Sequence, residues 1–100
     1  MRFDIGFTQS ASDHMRAFRK VDQTLIFIAI EDQLRHGATT ETRNRKRLSE
    51  NELADWELRV EDFRVFYDVL DEGGVQSVKV KAVGHKVHNK LFVGQKEVTL

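Results

Sequence analysis

The 100-residue sequence contains no cysteine and no proline, and only one tryptophan and one tyrosine. Without cysteine there is no disulfide framework, no thiol nucleophile and no cysteine-type zinc site. Without proline nothing forces a boundary inside the chain, and no repeat or low-complexity segment suggests one, so the expectation is a single domain over residues 1–100. Long apolar runs are missing too. The longest, Leu25 to Ile30, has six residues, against the ~20 that a spanning helix needs. The first residues, Met1-Arg2-Phe3-Asp4, lack the apolar region of a secretory leader. These absences predict a cytoplasmic protein with no membrane partner.

Net charge is also missing: 16 basic residues balance 16 acidic ones. The balance is uneven along the chain. Arg43-Asn44-Arg45-Lys46-Arg47 is a basic run, residues 51–72 are strongly acidic apart from Arg59 and Arg64, and residues 73–100 carry five lysines against Glu97. A zero average therefore does not exclude a polyanion partner, because local charge is what a binding surface presents.

Phe3, Ile5 and Phe7 alternate with polar residues or glycine, the period of a half-buried strand. Thr8 or Ser10 is placed to cap a helix with Ala11, Met15 and Phe18 on one face. Asp22 reads as the N-cap of a second helix, with an apolar stripe of Leu25, Ile26, Ala29, Ile30 and Leu34 ended by Gly37. Residues 38–52 read as irregular, anchored by Leu48. Three strands follow: Trp56 to Val60, Phe63 to Leu70 and Val75 to Val83, with turns at Glu61-Asp62 and Asp71 to Gly74, and Gly84 ending the last.

A two-residue turn at Glu61-Asp62 pairs Trp56 with Tyr67, Leu58 with Val65 and Arg59 with Arg64. A four-residue turn at Asp71 to Gly74 pairs Tyr67 with Val78, Phe66 with Lys79 and Arg64 with Lys81. One face then holds Trp56, Leu58, Val60, Phe63, Val65, Tyr67, Val78, Val80 and Ala82, and receives the helices. The other holds Glu57, Arg59, Arg64, Phe66, Lys79, Lys81 and His85. Like charges placed opposite one another destabilise a sheet. Their clustering suits a phosphate-binding surface, since arginine grips phosphate through two donors and lysine adds a point charge. A solvated face with ion pairs to Glu57 and Asp68 explains it equally. His85-x-x-His88 has the spacing of a metal half-site without a third ligand, so no metal and no cofactor are expected. His14 and His36 read as structural residues on helix surfaces.

The stretch Trp56-Glu57-Leu58-Arg59-Val60-Glu61-Asp62-Phe63-Arg64-Val65-Phe66-Tyr67-Asp68-Val69, followed by Val80-Lys81-Ala82-Val83-Gly84-His85-Lys86, resembles the signature of the RelE/ParE toxin superfamily of bacterial toxin–antitoxin systems. The resemblance implies an α+β RelE-like fold: a small antiparallel-type sheet in the order strand–helix–helix–three strands, with a helical hairpin on one face. It implies a metal-independent endoribonuclease that cleaves mRNA on the ribosome, and a cognate antitoxin protein as partner. Other branches imply a DNA gyrase inhibitor, or a catalytically degenerate antitoxin-binding module. Carried over by position, Arg64 is the strand arginine at the scissile phosphate, Arg59 a second cation and Lys86 the basic residue after the glycine. Glu57 stands where the RelE type has lysine, and Phe92 near where it has a catalytic tyrosine. His85 or His88 would then move protons, as histidines near the C-terminal end do in other branches, with Glu57 as the alternative base. Lys46, Arg47, Lys79 and Lys81 would hold RNA phosphates, and the run Arg43 to Arg47 is either such a contact or a solvated loop.

Overall fold

A computed structural model describes residues 2–100. Among them the chain runs β1 (Asp4–Phe7), α1 (Gln9–Arg16), α2 (Lys20–Leu34), β2 (Arg45–Arg47), β3 (Trp56–Val60), β4 (Phe63–Glu72), β5 (Val75–Val87), β6 (Lys90–Val93) and β7 (Lys96–Val98). This is an α+β fold with two helices and a curled, mainly antiparallel sheet. Strands β2 to β7 follow one another across it, and β1 joins β5 in parallel. No helix among the described residues is long and apolar enough to cross a membrane.

Thr8 caps α1 by accepting the Ala11 N–H at 3.1 Å. Helix α2 begins one turn earlier than the sequence suggests, with Arg19 as N-cap. Asp22 lies in the first turn and accepts from the Arg19 Nε at 2.9 Å, which suits a carboxylate at the positive end of a helix. Gly37 is not a left-handed cap, since the C-cap is Arg35. Its missing side chain makes room for Arg45 instead, whose Nη1 would lie 2.8 Å from a Cβ there. That guanidinium donates to the Gln33 carbonyl at 2.6 Å and, through Nε, to the Thr40 carbonyl at 3.0 Å. The expected irregular run therefore contains a short strand, β2, and Arg45 clamps the end of α2.

The core forms between the helices and one sheet face. Ala11, Met15, Ile26, Ile30 and Leu34 meet Trp56, Leu58, Val60, Val65, Tyr67, Val78, Val80 and Val83. Trp56 stacks on Tyr67 with ring centroids 6.0 Å apart, and the buried Tyr67 hydroxyl donates to the Ala38 carbonyl at 2.7 Å.

The pairing of β3 with β4 follows the two-residue turn: Trp56 faces Tyr67, Leu58 faces Val65 and Arg59 faces Arg64. The pairing of β4 with β5 does not follow the expected four-residue turn. Gly73 and Gly74, both with positive φ, form a two-residue turn, so Tyr67 pairs with Val80 and Asp68 with Lys79. The register then shifts between Phe66 and Tyr67, with Lys81 as the extra residue. Past this bulge Phe66 pairs with Ala82, Arg64 with Gly84 and Phe63 with His85.

The shift exchanges the faces of everything after Lys81. Ala82, expected under the helices, joins Phe66, Leu91 and Val93 in a second small core on the far side, while Val83 joins the first. Nor does Gly84 end the strand. A Cβ there would lie 2.6 Å from the Phe92 carbonyl oxygen, so glycine is what lets β6 lie close. The polar stretch His85 to Lys90 instead continues β5 to Val87 and turns back into β6, which β7 then follows.

Candidate functional site

Arg59 and Arg64 are cross-strand partners, and since Leu58, Val60 and Val65 point to the helices, both arginines project from the other face. Arg64 is half-buried. Its Nη1 donates to the Glu61 carbonyl at 2.7 Å and to that of Phe63 at 2.8 Å. Its Nε is buried without a hydrogen-bond partner among the described residues. Burial holds its pKa below the ordinary guanidinium value; the Glu57 carboxylate opposes the shift and neighbouring Arg59 reinforces it. An unpartnered guanidinium donor under burial is a cost that the fold carries at this position.

Glu57 is buried on this face, its Oε2 3.9 Å from the Arg59 Nε, with Lys46 as its partner across the β2–β3 pair. Gly84 lies opposite Arg64, and Lys86, two residues on, projects from the same face. Glu57 and Lys86 both line a cavity of about 340 Å³ walled by Leu48, Leu91 and Val98. The structure thus gathers Lys46, Glu57, Arg59, Arg64 and Lys86: four cations around one carboxylate.

The remaining candidates lie elsewhere. The expected contact of Arg64 with Lys81 is absent because the tighter Gly73-Gly74 turn and the bulge together put Gly84 there. The Lys81 Nζ sits 3.6 Å from the Asp68 carboxylate, and Lys79 is paired across the ladder with that same Asp68. Arg47 lies over the Trp56 ring at 5.7 Å from its centroid, a cation–π contact on the helix side. His85 also lies on the helix side, contrary to expectation, because it follows the bulge. Its ring stands edge-on to Phe18 at 5.9 Å and lies 6.1 Å from Phe92. His88 is exposed at a left-handed turn position between β5 and β6, with φ of 51°. Neither histidine shares the Arg64 face.

Sequence reasoning missed Gly84 and Asp62. Gly84, opposite Arg64, lets β6 pack directly against this part of β5, and the Asp62 carbonyl accepts the Lys86 N–H at 2.7 Å, fixing where that lysine starts. The Gly84-His85-Lys86 sequence was the available signal, since a glycine inside an apolar strand marks a close backbone approach. No protein-family model and no curated protein matches this chain.

Proposed function

We propose that the chain is a RelE/ParE-type toxin whose arginine face binds the RNA backbone and cleaves mRNA on the ribosome. The observation that carries this reading is the pairing of Arg59 with Arg64 on one sheet face beside the buried Glu57. In the reaction a ribose 2′-oxygen attacks the adjacent phosphorus, the bond to the 5′-oxygen breaks, and a 2′,3′-cyclic phosphate and a 5′-hydroxyl result. Arg64 and Arg59 stabilise charge on the non-bridging oxygens. Glu57, the carboxylate on this face, takes the proton from the 2′-hydroxyl, and the Lys86 ammonium gives one to the departing 5′-oxygen. This assigns proton transfer to Glu57 rather than to His85 or His88, which lie off the face.

A cognate antitoxin fits the same surface: a flexible acidic segment that folds on contact would neutralise Arg59, Arg64 and Lys86 together. Its affinity should fall sharply in Arg64→Glu.

Ribosome toeprinting with purified protein tests the reading. Wild type should cut mRNA in the ribosomal A site, and Arg64→Ala should lose ~10²–10³ in rate, as removal of one preorganised donor does. Inhibition of gyrase supercoiling in place of cleavage would assign the chain to the gyrase-inhibiting branch. Silence in both assays would leave an antitoxin-binding module.

A further inference from the structure

A different part of the molecule has the attributes of a second binding site. Where the α1–α2 corner meets β5 and the β6–β7 turn, a cavity of about 430 Å³ opens on the helix side of the sheet. Its walls are aromatic. Phe18 and Phe63 meet edge-on with centroids 5.0 Å apart, and the His85 ring lies between Phe18 and Phe92.

The rim carries directed polar groups. The His14 Nδ1 accepts the Val83 N–H at 3.2 Å, so in the neutral ring the proton sits on Nε2. That nitrogen lies beside Gly94, where a Cβ would come within 3.1 Å, and the absent side chain keeps it accessible. Across the opening Asp22 and Arg19, paired at 2.9 Å, supply acceptor and donor. A groove of about 570 Å³ shares Arg19, Asp22, Phe63 and His85 with the cavity and leads on to Lys86 and His88.

We propose that this cavity binds a nucleobase, with the attached sugar directed out along the groove toward the exposed His88. The volume lies in the lower part of the ~300–1,000 Å³ span of small-ligand pockets, which suits one ring system. Flat aromatic walls match the π face of a base, and stacking of this kind serves single-stranded nucleic acid binding without base preference. The edge of a base needs both a donor and an acceptor, and the rim offers both. An aliphatic group would fill the walls yet leave the His14 N–H on the rim unanswered. The site stands on its own geometry and does not require that Arg64 cleave anything.

The test is a titration of isotope-labelled protein with adenosine 5′-monophosphate and, in parallel, ribose 5-phosphate, followed by NMR. The monophosphate should shift the Phe18, His85 and Gly94 amides and bind about five- to a hundredfold more tightly than ribose 5-phosphate, the share expected of base–aromatic stacking. Ala17→Trp fills the cavity from its exposed rim and should abolish that difference, and His85→Leu, which removes one stacking ring, should reduce it. Equal binding of the two probes, shifts confined to Lys86 and His88, or unchanged affinity in a folded Ala17→Trp would each overturn the proposal. A protein inactive in toeprinting that still binds the monophosphate here keeps this site and loses only the cleavage reading.

Discussion

Tyr67 is wholly buried and its hydroxyl answers a single carbonyl, that of Ala38. Tyr67→Phe leaves that carbonyl unpaired at almost unchanged volume, so urea denaturation should show a loss of ~1–3 kcal/mol. Burial pushes the phenol above its ordinary range, so its ionisation plays no part near neutrality. His14 behaves differently. Burial holds its pKa below the ordinary 6.5, with Asp13 opposing the shift, and protonation would remove the acceptor of the Val83 N–H. A folded-state pKa below the unfolded one means the unfolded chain binds the proton first. The contribution is therefore complete above pH ~6.5 and lost as the pH falls through the lower folded value. Stability should decline on acidification in that window, and His14→Gln should flatten the decline in pH-dependent melting curves. Asp13 and Glu31, lowered by hydrogen bonds chiefly from Gln9 and Arg35 respectively, act only at more acidic pH. Of the individual residues, the Arg59–Arg64 pair was readable because a two-residue turn fixes its register arithmetically. The side of the sheet occupied by His85 was not, because it depends on the bulge at Lys81, just before it, that no local pattern announces.

The bulge at Lys81 gives β4 and β5 two face assignments along one ladder. Deleting Lys81 removes the extra residue and leaves Tyr67 opposite Val80 and Phe66 opposite Ala82. Deleting Lys79 instead sends Val78 and the preceding residues to the wrong face. The Lys81 deletion should therefore fold, losing the Thr8 hydroxyl bond to the Lys81 carbonyl and the Asp68 ion pair. Its urea midpoint should lie well above that of the Lys79 deletion; the reverse order would mean that the two residues do not play these parts. Helix α1 and β1, β3 and β4 were legible because apolar period, the Thr8 cap and a tight turn agree there, while α2 was legible from its apolar stripe although neither expected cap holds. β2 was hidden because three consecutive basic residues carry no alternation, and β6 and β7 because the turn before β6 has no glycine and that before β7 has Gly94 followed by a non-glycine left-handed residue. His88, Asn89 and Gln95 all adopt positive φ, a conformation whose residue preferences are too weak to announce a hairpin.

On the scale of the whole molecule, zero net charge coexists with a sheet face where Lys46, Arg59, Arg64 and Lys86 surround one acid. On the proposed reading, binding of single-stranded RNA should depend on salt despite the neutral total. Three phosphate contacts, by Arg59, Arg64 and Lys86, correspond to a slope of about −2 in log K against log salt, at about −0.7 per contact. Arg59→Ala should bring it to about −1.4, while Lys79→Ala, beside Asp68, should leave it unchanged; fluorescence anisotropy at several salt concentrations reads both. The parallel pairing of β1 with β5 has a consequence in time. Strand β1 is made first, yet its partner in the sheet is β5, so its backbone has no ladder to join until residues 75–87 are made. The helices can meet β3 and β4 sooner, so the first strand of the chain waits for the fifth.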